Sequence, residues 1–139
     1  MFKVGFTGTR SGMTFDQKMS LADLLGSMRI KEFHHGDCVG ADAEAHDMID
    51  DGLDIYIVIH PPLNPSKRAH KKGNWYHEPL PYLVRNKNIV NDTDILIACP
   101  GEIAKQLMVS GTWSTVRYAR TLGRPIKIVF PDGSVKTEN

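Results

Sequence analysis

An apolar run leads into a glycine-rich turn in Phe2-Lys3-Val4-Gly5-Phe6-Thr7-Gly8-Thr9-Arg10-Ser11-Gly12. Such a run predicts a buried strand, and the glycines predict a tight turn after it. A helix is predicted from Thr14 to Ile30, because Thr14 and Gln17 have the spacing of a capping box and apolar residues follow at helical periodicity. A strand, a glycine-rich turn and a helix in this order indicate the first part of a βαβ unit.

The rest of the chain continues this alternation. Further strands are predicted at residues 31–35, 53–59, 94–99 and 126–130, and further helices at 41–51, 82–91 and 111–122. The proline-rich region 60–81 has no clear periodicity and is predicted to be a functional loop, and a polar tail follows Phe130. We therefore expect one domain over residues 1–139: a Rossmann-like three-layer α/β domain with a mainly parallel sheet of about five strands.

The composition is that of an ordinary globular protein, with 41% hydrophobic and 24% charged residues. The formal net charge of the chain is +1, so no overall field attracts a polyanion. No apolar run approaches the ~20 residues of a membrane-spanning helix, and the first residues lack the zones of a signal peptide. We expect a cytoplasmic protein without a membrane partner, with Cys38 and Cys99 as reduced thiols.

Three glycine-bearing turns are predicted to open at one edge of the sheet. They are Thr7-Gly8-Thr9-Arg10, His35-Gly36-Asp37-Cys38-Val39-Gly40 and Val109-Ser110-Gly111-Thr112-Trp113-Ser114-Thr115. Glycine lets the backbone approach a ligand, helix N-termini present unpaired N–H groups and hydroxyls add donors, so together the turns predict a phosphate-binding cradle. The alternative is that the glycines only permit tight turns, and no turn has the spacing of a Walker or dinucleotide-binding loop. The residues predicted to bind the ligand here are Gly8, Thr9, Arg10, Gly36, Ser110, Gly111, Thr112 and Ser114.

Four blocks of the sequence, in order, resemble the SLOG superfamily. The blocks are residues 7–10, 35–46, 85–90 and 110–115. This superfamily includes DprA-type DNA-processing proteins, YpsA-related proteins and the Lonely Guy (LOG) nucleotide phosphoribohydrolases, and the resemblance, which covers nearly the whole chain, is nearest to the YpsA-related group. It implies a Rossmann-like fold with a nucleotide-type ligand over the glycine turns. It also implies that Arg85 acts in catalysis or orients the ligand, and that residues 110–114 form a LOG-like phosphate loop.

The sequence departs from the LOG pattern after the third turn. LOG enzymes carry a glutamate there that assists cleavage of the N-glycosidic bond, whereas Arg117 occupies the corresponding position. Because such a hydrolase needs a carboxylate, Asp37, Asp42 and Glu44 are the candidates, and Asp37 or Glu44 is predicted to act with Arg85. The alternative is that Asp42 caps its helix and Glu44 faces solvent. Asp42 and Arg117 are also predicted ligand contacts.

Aromatic and basic residues leave further interpretations open. Trp113 either covers the base of the ligand or locks its helix against the sheet. The basic segment Lys67–Lys72 and the pair Trp75-Tyr76 form either a solvated loop or a groove for single-stranded nucleic acid.

Histidine spacing predicts no metal site, since His34 and His35 point to opposite faces of a strand, and we expect no cofactor. Homodimerisation is expected from the resemblance. The favoured function is binding of a nucleotide-type small molecule; a nucleotide N-glycosidase is the alternative enzyme, and nucleic-acid binding of the DprA type is possible but less favoured.

Overall fold

The computed structural model describes residues 1–101 and 110–139. The strands of this part of the chain are β1 (Phe2–Gly8), β2 (Ile30–His35), β3 (Tyr56–Ile59), β4 (Trp75–Tyr76), β5 (Ile95–Cys99), β6 (Ile126–Val129) and β7 (Val135–Glu138). Its helices are α1 (Phe15–Ser27), α2 (Ala41–Asp50), α3 (Tyr82–Asn91) and α4 (Gly111–Thr121), and a short 3-10 turn covers Pro65–Lys67.

The strands form one sheet in the order β4-β3-β2-β1-β5-β6-β7. All neighbouring strands are parallel except β6 and β7, which are antiparallel. The described sheet therefore has seven strands, and the prediction of about five was too low. The two extra strands are β4, within the predicted loop, and β7, within the predicted polar tail.

Both extra strands lack a hydrophobic pattern because they lie at the edges of the sheet. The two residues of β4 are exposed, and the side chains of β7 are exposed or half-buried. Backbone hydrogen bonds to β3 and to β6 hold these edge strands, and such bonds leave no trace in the side-chain sequence.

Helices cover both faces of the sheet. On one face α1 and α2 bury a core that includes Leu21, Ile49, Phe6 and Phe33. On the other face α3 and α4 contribute a second core, in which Val116 packs with strand residues such as Ile128. This arrangement gives the three layers that the alternation of strands and helices predicts.

Helix α1 begins with the predicted capping box. The Thr14 hydroxyl accepts from the Gln17 N–H at 3.0 Å, and Gln17 Oε1 accepts from the Thr14 N–H at 3.2 Å. The Gln17 amide also donates to the carbonyls of Pro100 and Val129, at 2.7 and 2.8 Å, and so ties the start of α1 to the ends of β5 and β6. Helix α1 ends at Ser27, earlier than predicted, and Ile30 belongs to β2.

None of the described helices has both the length and the apolar character needed to cross a membrane.

Candidate functional site

A cleft of about 570 Å³ lies beyond the carboxyl end of β1. The strand order reverses at this point, because β2 pairs with one edge of β1 and β5 pairs with the other. In open α/β sheets such switch points are where ligands bind. Nine of the predicted site residues line this cleft: Gly8, Thr9, Arg10, Asp42, Arg85, Ser110, Gly111, Thr112 and Trp113.

The turn after β1 forms one wall of the cleft. Its backbone is held by the Thr9 N–H, which donates to the Cys99 carbonyl at 3.0 Å, and by the Thr9 carbonyl, which accepts from the Ala41 N–H at 2.9 Å. The Arg10 guanidinium lies 5.7 Å from the ring centroid of Tyr82, within the range of a cation–π contact. The turn therefore presents a positive charge at the rim of the cleft.

The N-terminus of α4 forms the facing wall. Ser110 is the N-cap residue, and its hydroxyl accepts from the Trp113 N–H at 3.3 Å. Gly111 and Thr112 are the first two residues of the helix, where backbone N–H groups have no partner within the helix. The positive end of the helix dipole is thus directed at the cleft. The predicted start of this turn, Val109, lies outside the described residues.

Trp113 packs its helix against the sheet, as one interpretation of its role predicts, and contact with the base of a ligand stays a prediction. It is 6% exposed and packs in the core beneath α4 with Val116 and Ile128, and it also lines the cleft. Ser114 and Arg117, further along the same helix, are not among the described residues that line the cleft.

Arg85 lies at the back of the cleft and is 4% exposed. One of its Nη atoms donates to the carbonyls of Gly36 and His60, at 2.6 and 3.1 Å, and Nε donates to Asn86 Oδ1 at 2.8 Å. A Cβ atom at Gly36 would overlap this guanidinium. Gly36 thus makes room for Arg85, and it does not itself line the cleft.

Asp42 is the carboxylate that reaches the cleft. Its Oδ2 accepts from the backbone N–H groups of Gly36 and Cys38, both at 3.2 Å, so it binds the turn before α2. The N-cap of α2 is Gly40, so the interpretation of Asp42 as the cap is wrong. Burial raises the pKa of Asp42 to about 6, although the charge of Arg85 and the two N–H donors oppose that shift.

Asp37 and Glu44 lie outside the lining of the cleft. The Asp37 side chain is fully buried, accepts from the Lys71 N–H at 2.9 Å and pairs with Arg68 Nε at 2.9 Å. Glu44 accepts from the Met13 N–H at 2.7 Å and pairs with the Lys18 ammonium at 2.9 Å. The structure therefore does not bring the two predicted catalytic carboxylates to the site.

Sequence reasoning missed several lining residues, of which the polar ones are Thr7, Ser11, Thr14, Gln17, Cys38, Tyr82 and Asn86. Tyr82 and Asn86 share a face of α3 with Arg85, because residues three or four apart are neighbours on a helix. The spacing of Tyr82 and Asn86 from Arg85 could therefore have identified both as site residues from the sequence. Burial raises the pKa of the Cys38 thiol, which does not favour a nucleophile at this position.

Ion pairs engage two cations of the basic segment. Arg68 pairs with Asp37, and Lys71 pairs with Asp47 at 2.9 Å. Trp75 and Tyr76 are exposed on β4, away from the cleft described above. This arrangement offers less free charge to a nucleic acid than the sequence alone indicated.

The histidines divide between the two faces of the sheet, as expected. His35 Nε2 lies 3.0 Å from His46 Nδ1 on one face, and His34 Nδ1 lies 2.8 Å from His60 Nε2 on the other. Burial lowers the pKa of His34, and it lowers that of His60 to about 2, so both imidazoles are neutral. His34, His60 and Asp92 also place one potential metal-ligand atom each within 4.8 Å of one another, a grouping that the sequence spacing did not reveal.

Comparison with known proteins identifies the fold. No protein-family model and no curated protein matches the sequence. The structure is similar to that of a molybdenum cofactor binding protein from the phototrophic bacterium Rippkaea orientalis, with a TM-score of 0.68 and 19% identity over 91% of this chain and 75% of that one. The chain has a Rossmann-like fold. The X-ray structure of TM1055, a structural genomics target, is also similar, with a TM-score of 0.57 and 18% identity over 91% of this chain and 72% of that one. The Rossmann-like fold agrees with the fold class that the sequence predicts.

Proposed function

We propose that this protein binds a nucleotide or a nucleotide-derived molecule in the cleft beyond β1, with a phosphate group at the N-terminus of α4. The observation that carries the proposal is the meeting of two anion-binding features across one cleft. The first is the helix N-terminus at Gly111 and Thr112, and the second is the cation of Arg10 on the facing turn. Both features favour a negatively charged group between them.

The size and lining of the cleft support a small molecule rather than a polymer. Its volume of about 570 Å³ is within the range of small-molecule sites. Tyr82 offers an aromatic surface beside the cleft, and Arg85 and Asn86 offer polar atoms deeper inside it. We infer that the phosphate lies between Arg10 and α4 and that the remainder of the ligand extends towards Arg85.

The resemblance of four sequence blocks to the SLOG superfamily supports the same proposal, and the Rossmann-like fold is the one that this resemblance implies. The similar protein from Rippkaea orientalis binds molybdenum cofactor, so that cofactor belongs in the ligand panel beside nucleotides. Homodimer formation and a cytoplasmic location stay predictions.

A pair of substitutions at Gly111 tests the phosphate position. Gly111 has ordinary φ, and an added Cβ would meet only Tyr82 and Asn86 at 3.8 and 3.9 Å, so the helix tolerates a side chain there. Gly111→Asp adds a negative charge where the phosphate is expected, and Gly111→Asn adds the same shape without charge. Calorimetry with nucleoside mono- and diphosphates, ADP-ribose, nicotinamide dinucleotides and molybdenum cofactor is the measurement.

We expect Gly111→Asp to weaken the binding of a phosphate-bearing ligand at least about tenfold more than Gly111→Asn does, because the charge repels the phosphate. Equal affinities of the two variants would place the phosphate elsewhere. Failure of every ligand in the panel to bind the unsubstituted protein would contradict the proposal as a whole.

A second candidate function is hydrolysis of the N-glycosidic bond of the bound nucleotide. The observation that favours it is Asp42, a buried carboxyl group that lines the cleft and whose pKa is raised to about 6. A carboxyl group with such a pKa is suited to donate a proton to the leaving base, while water adds to the sugar carbon. Arg85, behind it, would orient the ligand.

Chromatographic detection of free base tests the hydrolase. We expect the protein to release base from a nucleotide that it binds, and Asp42→Asn to lower that rate at least about 100-fold while binding is retained. Retention of the rate in Asp42→Asn would exclude Asp42 as the acid. Intact ligand after prolonged incubation would leave binding as the function.

A further inference from the structure

A second cleft, of about 460 Å³, opens on the face of the sheet that carries α3 and α4. It lies over β2, β3 and β4, beside the C-terminal end of α3. Its lining includes His34, His77, Trp75, Glu32 and Asp92. This cleft takes no part in the proposed nucleotide site.

His34 and Asp92 line this cleft, and the buried His60 imidazole contacts His34. His34 Nδ1 lies 2.8 Å from His60 Nε2, and the ligand atoms of His34, His60 and Asp92 all lie within 4.8 Å of one another. His34 and His60 are buried whereas Asp92 is exposed, so the cluster has a closed side and a side open to solvent. Two histidines and one carboxylate are a ligand set that zinc uses in sites with an open position.

Glu32 holds His34 in the orientation and tautomer that a metal ligand needs. Its Oε1 lies 2.8 Å from His34 Nε2, so this ring nitrogen carries the proton and donates it to the carboxylate. The lone pair of His34 Nδ1 therefore faces His60. A carboxylate that accepts from the outer nitrogen of a histidine is the usual support of a zinc-binding imidazole.

The contact between the two histidines accommodates a metal ion in place of a proton. Because His34 Nδ1 has no proton, the proton in the 2.8 Å contact belongs to His60 Nε2. When that proton moves to Nδ1 of the same ring, both facing nitrogens present lone pairs and the net charge of the pair is unchanged. Tetrahedral zinc with bonds of about 2.0–2.1 Å requires roughly 3.4 Å between two ligand atoms, so the rings need to separate by only about half an ångström.

We propose that His34 Nδ1, His60 Nε2 and the carboxylate of Asp92 bind one zinc ion, with the remaining coordination position open to the second cleft. Water or a polar group of a small molecule fills that position. The backbone carbonyl of His60 accepts from Arg85, so the site also borders the residue at the back of the first cleft.

Zinc binding to the full chain tests this proposal. The purified protein is stripped with a chelator and dialysed against buffered free zinc, and zinc per chain is measured by elemental analysis. Asp92→Asn removes the exposed ligand with little effect on packing, and Asp51→Asn removes the same charge at another exposed position as the control. His60→Gln removes a buried ligand, and circular dichroism verifies that this variant is folded.

We expect one zinc ion per chain, affinity lowered at least about tenfold in Asp92→Asn, and unchanged affinity in Asp51→Asn. With cobalt in place of zinc, we expect visible absorption bands of a four-coordinate site that are lost in His60→Gln. Absence of zinc from the unsubstituted chain would overturn the proposal. Equal zinc binding by Asp92→Asn and the unsubstituted chain would overturn it as well, because zinc would then bind elsewhere.

Discussion

Gly40 lies where the turn after β1 meets the start of α2. Its φ is +95°, a value that residues with a side chain rarely adopt, and a Cβ atom there would overlap the backbone of Arg10. Next to it, the Ala41 N–H donates to the Thr9 carbonyl at 2.9 Å. This close approach holds the turn that carries Arg10 against the start of α2.

Gly40→Ala is expected to lower the free energy of unfolding by about 1–3 kcal/mol, because it adds both backbone strain and a clash. It should also weaken phosphate binding, since Arg10 has to move. Gly26→Ala is the matched control: Gly26 lies in α1 with nothing within 4 Å of an added Cβ, and alanine there should raise stability by about 0.5–1 kcal/mol. Urea denaturation measures the free energy of unfolding of both variants. A Gly40→Ala protein as stable as the unsubstituted chain would show that the backbone at this position is not strained and that the alanine side chain fits.

At the scale of elements, the start of α1 is held by one hydroxyl with two roles. The Thr14 hydroxyl accepts from the Gln17 N–H at 3.0 Å and donates to the Pro131 carbonyl at 2.6 Å. The cap therefore joins α1 to the loop after β6. Gln17, one turn into the helix, extends the connection to Pro100.

Thr14→Ala is expected to destabilise the protein by about 1–2 kcal/mol, since it removes the cap and leaves a carbonyl with one partner fewer. Thr14→Ser keeps the hydroxyl and should retain most of the stability. The midpoints of urea denaturation of the two variants provide the comparison. Equal losses in the two variants would mean that the methyl group, rather than the hydroxyl, stabilises this junction.

At the scale of the whole molecule, the buried charge of Asp42 couples stability to pH. Burial raises the pKa of Asp42 to about 6, above the 3.8 of a free aspartate. The folded chain therefore binds a proton more tightly than the unfolded chain does. The contribution of this proton to the free energy of unfolding is fully present below pH 3.8 and is lost as the pH rises through about 6.

Comparison with Asp42→Asn isolates this effect, because the other titrating groups are common to both proteins. We expect the unfolding free energy of the unsubstituted chain, relative to that of Asp42→Asn, to fall by about 2–3 kcal/mol between pH 4 and pH 7. Urea denaturation at a series of pH values measures this difference. A difference that is constant with pH would show that Asp42 titrates normally in the folded protein.

Local patterns predicted the elements that bury side chains. The apolar run of β5 and the helical periodicity of α3 both correspond to observed elements, and the capping box of α1 is present. The glycine turns after β1 and before α4 lie at the same cleft, as the rule for parallel sheets predicts. The edge strands β4 and β7 were missed because their stabilising hydrogen bonds belong to the backbone, which every residue type shares.

By itself, the sequence determined the order of the helices and of the strands that bury side chains, the edge of the sheet at which the first cleft opens, and the presence of Arg10 and Arg85 at that edge. These features follow from local periodicity and from the common direction of parallel strands. Only the tertiary structure decided which carboxylate faces the cleft, since Asp37 turns to Arg68 and leaves Asp42 at the lining. It also assembled the proposed metal ligands from β2, the end of β3 and the end of α3. The reason is the same in both cases: the partner of a charged or polar side chain is set by residues brought together from distant parts of the chain, and local spacing does not record them.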